Sequence, residues 1–184
     1  EIRLDPYLAE RGNLLLKTYS NLNNNLFYEH KKGLFTFNAN LRHHYKHNPI
    51  MESVKEQGNI FLIIPENMKS WNKYNAEMNL KVGMIKNILQ FSLTGGYNHF
   101  NSQGNNYSHE YSNFYYSANV LAMYKKWMFI VQIQPFDEKL YGETVIKSGN
   151  YHYLAIQYNT DNFSFGIGAF NPFKNVSRTV IENK

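Results

Sequence analysis

FYYSANVLAMYKKWMFIVQIQ, residues 114–134, decides how the rest of the chain is read. From Phe114 the apolar and aromatic residues fall on alternate positions (Phe114, Tyr116, Ala118, Val120, Ala122, Tyr124), with Tyr115, Ser117, Asn119 and Leu121 between them. Successive side chains of a strand point to opposite faces, so this period of two describes a strand with one apolar face. Lys125 and Lys126 interrupt the pattern, and a second run then carries Trp127, Phe129, Val131 and Ile133 on one face with Gln132 and Gln134 on the other. The stretch is two strands joined by a tight basic turn, with aromatic residues near the ends.

The same alternation recurs on both sides. Leu22, Asn24, Leu26 and Tyr28 oppose Asn23, Asn25, Phe27 and Glu29; after Lys31-Lys32-Gly33, residues Phe35, Phe37, Ala39, Leu41, His43 and Tyr45 oppose Thr36, Asn38, Asn40, Arg42 and His44. From Tyr74, Ala76, Met78, Leu80, Val82 and Met84 share one face while Asn75, Glu77, Asn79 and Lys81 share the other. Beyond Lys86-Asn87, Leu89, Phe91, Leu93 and Tyr97 oppose Gln90, Ser92, Thr94 and Asn98. A last pair follows at 151–159 and 163–170, separated by Thr160-Asp161-Asn162.

About eight strands result, each near the 9 to 11 residues that a tilted strand needs to cross hydrocarbon. Residues 1–20 read as an irregular lead-in, 22–170 as the strands and 171–184 as a polar tail, all in one β segment. Short connections near 31–33, 85–87, 125–126 and 160–162 alternate with long ones near 46–71, 101–110 and 137–149. In an up-and-down antiparallel meander this puts the short turns on one rim and the long loops on the other, the layout of an outer-membrane barrel. The strand charges Glu29, Arg42, Glu77 and Lys81 all fall on the polar face, which avoids the roughly 2–4 kcal/mol that a charge costs against lipid at midplane. The apolar face ends in Tyr45, Tyr74, Tyr97, Tyr124, Trp127 and Tyr158, as an interfacial aromatic girdle does.

Composition agrees with strands that are wet on one side. The 184-residue chain is 16% aromatic, with 15 Tyr and 13 Phe, and its mean hydropathy is −0.53. No window is apolar enough for a spanning helix, which says little of a barrel, whose apolar residues alternate. The net charge of +5 is not gathered into one stripe, so nucleic acid is not an expected partner. With no cysteine, disulfides and thiolate metal sites are excluded. Glu1-Ile2-Arg3-Leu4 is not a signal peptide; either the protein is not exported or its natural chain starts elsewhere.

Motifs for chemistry are lacking. His43 and His44 point to opposite faces of a strand, and His43 and His47 lie about 13 Å apart at roughly 3.3 Å per residue, so no chelate forms. Glu29, Glu77, Asp137, Glu138 and Glu143 show no acid/base spacing. Neither catalysis, a metal nor a cofactor is therefore expected. Gly95, Gly96, Gly166 and Gly168 are expected to allow sheet curvature or close approach. The functional candidates are the polar face, with Arg42, Glu77, Lys81, Asn38, Asn40, Asn79, Gln90 and Asn98 lining a lumen, and the loop aromatics Tyr107, Tyr111 and Tyr141, placed to stack on an external ligand such as a glycan.

The stretches YKHNPIMES (45–53), GNNYSHEYSNFYYSANVLAMYKKWM (104–128), YGET (141–144) and GIGAFNPF (166–173), with RLDPYL (3–8), resemble the C-terminal half of the barrel in Bacteroidetes TonB-dependent receptors of the outer-membrane β-barrel family. Asn67 and Glu77 stand where such receptors often carry an Asn and a Gly-x-Glu, although Asn75 replaces the Gly. The resemblance implies a piece of a larger outer-membrane protein. Its partners would be outer-membrane lipid, the remaining barrel strands, a plug domain, TonB acting through that plug, and a nutrient ligand.

The expectation is thus an all-β transmembrane barrel segment, an antiparallel up-and-down meander, either part of a larger barrel or closing on itself. Two other readings stay open. One is a stand-alone eight-stranded barrel acting as an adhesin or anchor; the other is a soluble β-barrel or sandwich that binds a ligand. The soluble reading requires the Phe35/Phe37, Leu89/Phe91 and Phe163/Phe165 faces to be buried against one another.

Overall fold

Alternation of this kind can be satisfied only by a sheet, and the computed structural model, which describes residues 2–5, 7–134, 138–147, 151–172 and 180–183, is 78% strand with no helix. In chain order the strands are β1 (Ile2–Asp5), β2 (Leu8–Glu10), β3 (Ser20–Lys32), β4 (Phe35–His47), β5 (Ile50–Gln57), β6 (Ile60–Asn67), β7 (Ser70–Ile85) and β8 (Leu89–Gln103). They continue with β9 (Ser108–Tyr124), β10 (Trp127–Gln134), β11 (Glu138–Tyr141), β12 (Thr144–Lys147), β13 (Tyr151–Asn159), β14 (Ser164–Phe170) and β15 (Val180–Asn183).

Eight of them form one antiparallel meander in the order β14-β13-β10-β9-β8-β7-β4-β3. The expected strand pairs and short turns are present. Lys86 and Asn87 both have positive φ (47° and 56°), as a tight hairpin turn with the twist of its strands requires. The sheet is open: among the described residues β3 and β14 each pair on one side only, so the eight strands do not close on themselves.

The long connections differ from expectation. Residues 46–71 and 138–147 are not irregular loops: they build two hairpins, β5–β6 and β11–β12. The first joins a four-stranded sheet, β1-β2-β6-β5, and the second a three-stranded one, β11-β12-β15. The lead-in and the tail therefore contribute strands too. Between β8 and β9 only residues 104–107 are loop, and β7, β8 and β9 run to 16, 15 and 17 residues, well past the length that hydrocarbon requires. Asp137, Phe173 and the tail residues 173–179 lie outside the described residues.

Register keeps the faces coherent from strand to strand. Leu26, Leu41, Ala76, Tyr97 and Phe114 form one cross-strand row on the outer face; Asn25, Arg42, Asn75, Asn98 and Asn113 form the neighbouring row on the inner face. A bulge between Val82 and Ile85 adjusts the β7–β8 pairing near its turn. The hydrogen-bonded row through Phe35, Val82, Phe91, Val120, Val131 and Leu154 lies beside the turn in β4 but six residues from Thr160 in β13. The turns therefore step along the sheet, the stagger that tilted strands produce.

The outer face is largely uncovered, the exception being Val82, 1% exposed near the bulge before the β7–β8 turn. Phe35 and Phe165 are 56% and 65% exposed, so these faces are not buried against one another as the soluble reading required. The buried apolar cluster lies instead at the end of the sheet away from the short turns, where Met51, Met68, Trp71, Phe100, Leu140 and Val145 pack together.

Candidate functional site

The inner face is built by parity. Residues 36–46 of β4, 71–81 of β7, 90–102 of β8 and 109–121 of β9 present every second side chain to it, and register brings those polar side chains opposite one another. Glu77 of β7 is the hub: its carboxylate lies 3.7 Å from Arg42 and accepts a 2.7 Å hydrogen bond from Tyr115. Asn75 donates to the Tyr115 hydroxyl at 2.9 Å and to Asn98 Oδ1 at 3.0 Å. The Tyr115 ring lies across Gly96, where a Cβ would sit 2.3 Å from it. Gly96 therefore permits the close approach expected of the strand glycines, and Gly168 does the same beneath Tyr153.

The other lumen candidates lie on this face as well. Asn79 donates to Thr94 and Ser92 at 2.7 and 3.2 Å, and Asn38 with its amide turned to donate reaches Glu29 at 3.0 Å. Asn40 sits opposite Glu77, Lys81 is exposed opposite Thr36 and Ser92 near the short turns, and Gln90 faces Leu121. Asn75, Asn113, Tyr115 and Lys73 belong to the same surface; alternation placed Asn75 and Tyr115 on it without making them candidates, and Asn113 and Lys73 were not named from sequence. Strand parity alone marks them as inner-face residues, but only register shows that Asn75, Asn98 and Asn113 form one row.

The loop aromatics divide. Tyr107 and Tyr111 pack against the buried cluster, and the Tyr111 hydroxyl donates to Glu138. Burial pushes the Tyr107 phenol up, and Tyr107 stacks on His109 with centroids 5.0 Å apart. Tyr141 is 43% exposed; its hydroxyl reaches Ile50 O at 3.4 Å, and burial of the phenol, with Glu52 nearby, raises its pKa. Asn67, carried over from the resemblance, buckles three segments: its side-chain amide donates to Lys17 O and Asn48 O, and its Oδ1 accepts from Lys17 N.

Aromatic residues flank the outer face at two levels. Trp127 meets Tyr124 across β9–β10 and packs on Tyr158 with ring centroids 4.8 Å apart. At the other level Tyr97 packs on Phe114 at 4.8 Å, and Tyr74 stacks on His43 at 4.5 Å and 9°, with Tyr45 beyond. The ten residue steps from Phe114 to Tyr124 span about 33 Å along the strand at roughly 3.3 Å each, or about 25 Å along the axis for a strand tilted near 40°. Between the levels β4, β7, β8, β9 and β10 place no Asp, Glu, Lys or Arg on the outer face. A hollow of about 560 Å³ opens at the level of Tyr74 and Tyr97, lined by Leu26, Leu41 and Ala76 together with His43, Arg42 and the amides of Asn23, Asn24, Asn25 and Asn75.

Among the described residues no group of three His, Asp or Glu is placed to hold a metal ion. The chain matches no protein-family model, no curated protein and no solved structure.

Proposed function

We propose that this chain is a wall segment of an outer-membrane β-barrel, belonging to a TonB-dependent receptor that takes up a nutrient, with the inner face toward lumen and plug. The observation that carries the barrel is the outer face: an uncharged apolar band about 25 Å tall between two aromatic levels, exposed over most of its area apart from Val82, while amides and charges occupy the opposite face. The receptor assignment rests on the sequence resemblance. The staggered turns and the two free sheet edges, on β3 and β14, suit a sheet that continues into further strands, since an exposed edge is a row of unpaired backbone groups. In this role the chain forms wall and outside elements and does no chemistry; energy from TonB acts on the plug.

The test is made on the natural full chain in fractionated outer membranes. The expected result is a band several times larger than 21.7 kDa that shows heat-modifiable migration and β-rich circular dichroism in detergent. A band near 21.7 kDa would move the assignment to a stand-alone adhesin or anchor, and absence from the membrane fraction would remove the barrel.

A further inference from the structure

The short turns gather charge that the sequence scatters. Lys31 and Lys32 close β3, Lys86 lies between β7 and β8, and Lys125 and Lys126 join β9 to β10; all five are exposed, and the up-and-down order brings them to one rim. Among the described residues none of the five is in an ion pair. The other charges of this end are Lys81 and Glu29, both on the inner face, and Asp161 in the β13–β14 turn, and Glu29 is already met by the Asn38 amide. With His30 left aside, six lysines stand against two carboxylates.

Two of these lysines stand where local chemistry disfavours them. Lys86 and Lys125 have positive φ, 47° and 53°, a region that hairpin turns ordinarily give to Gly, Asn or Asp. Local rules are broken where another demand overrides them. The surroundings show what that demand is. Exposed Leu34 and Ile88 adjoin the lysines of their turns, and exposed Tyr124 and Trp127 bracket Lys125-Lys126, with Lys125 Nζ 5.4 Å from the Tyr124 ring. Cations set among apolar and aromatic side chains suit the boundary of a bilayer, where rings sit at headgroup level and a lysine keeps its stem on apolar surface with its ammonium among polar heads. The far end differs: beyond Tyr74 and Tyr97 the outer faces of β4, β7, β8 and β9 carry Glu110 and no lysine or arginine. Unpaired positive charge on one rim is complementary to negative headgroups on that side alone.

We propose that the short-turn rim binds anionic phospholipids of the leaflet it meets, with Lys31, Lys32, Lys86, Lys125 and Lys126 facing headgroup phosphate beside the aromatic level of Tyr124, Trp127 and Tyr158. The proposal deepens the wall reading and rests on it. The test uses the natural full chain in phosphatidylcholine vesicles that carry a trace of phosphatidylglycerol or of phosphatidylcholine with a photoreactive group near the headgroup, and crosslinks are mapped by mass spectrometry. At low salt the anionic probe is expected to mark residues 124–127 about five-fold more than the zwitterionic one. Salt at about 1 M, where the Debye length is about 3 Å, brings the ratio near one. Lys125→Asn with Lys126→Gln removes the preference at this turn and leaves it at 31–34; Asn is at home at positive φ, so the loss does not come from a damaged turn. Lys69→Gln, at the other end of the sheet, changes nothing, and the turn at 160–163, with Asp161 and no cation, shows no preference. Equal marking of 124–127 by both probes, or a preference that survives the double substitution, would overturn the proposal. A third probe, reactive at the end of its acyl chain, reads the wall separately: if it spares Leu93 and Phe129 while the anionic probe still prefers the lysine turns, the lipid-binding rim stands and the barrel wall falls.

Discussion

Two regions of the same strands solve the burial of apolar surface in opposite ways. Midway along β7, β8 and β9 the apolar side chains point outward and nothing covers them: Met78 is 63% exposed and Leu93 46%. Toward the hairpins the apolar side chains of these strands point inward, and Trp71 and Phe100 are 8% and 1% exposed beneath Met51, Met68, Leu140 and Val145. The inner face changes from amides and charges to aromatics as Asn75 gives way to Trp71 on β7, and Asn98 to Phe100 on β8. One end is a protein core; the middle carries an apolar belt that the proposed wall would set against lipid.

Removing the core's anchor should have the largest effect. Trp71 donates Nε1–H to Leu140 O at 2.8 Å and packs on Phe100 with centroids 6.1 Å apart, tying β7 to the β11–β12 hairpin. Trp71→Ala removes a buried ring and strands that carbonyl, an expected loss of about 3–5 kcal/mol in the stability of the hairpin end. Protease cleavage between β11 and β12, with the meander intact, would display it; an uncleaved hairpin would mean that other contacts hold this end.

The middle is tested with adjacent residues. Leu93 faces outward and Thr94 inward on β8. In lipid vesicles Leu93→Arg is expected to cost about 2–4 kcal/mol of folding stability, and Thr94→Arg far less, because the first sets a charge against hydrocarbon and the second against the wet face. Urea titration of the refolded full chain measures both. Equal penalties would erase the distinction between the faces and with it the barrel wall.

That contrast also explains which parts were legible in sequence. The polarity of Arg42, Glu77 and Asn79, and the outward sense of Tyr97, Tyr124 and Trp127, follow from period two alone, which is local. In 46–71 residues 60–64 read as a possible strand beyond the main sheet and lie in β6, but its partner β5 has apolar residues only at 50, 51 and 54 and shows no period; in 138–147 strands as short as Glu138–Tyr141 and Thr144–Lys147 hold too few residues to establish one. Tyr107 and Tyr111, expected to meet a ligand from the loops, pack against the buried cluster instead. That cluster includes Leu140 and Val145, some thirty residues further on, and only the fold brings them to it. The amide row of Asn75, Asn98 and Asn113 depends likewise on register, which no single strand encodes.

The smallest predicted effect separates the turns from both regions. Lys86, with φ 47°, occupies the left-handed region where a Cβ is disfavoured, and its side chain is exposed at the short-turn rim. Lys86→Gly removes that local strain at the cost of a freer unfolded chain, for an expected net gain of about 0.5–1 kcal/mol. Since neither the rim core nor the apolar belt touches this residue, the gain should add unchanged to the losses in Trp71→Ala and in Leu93→Arg. A gain that vanished in the Leu93→Arg background would show that the turn and the wall between the aromatic levels fold as one coupled unit, rather than the turn merely joining two strands whose stability comes from their surroundings.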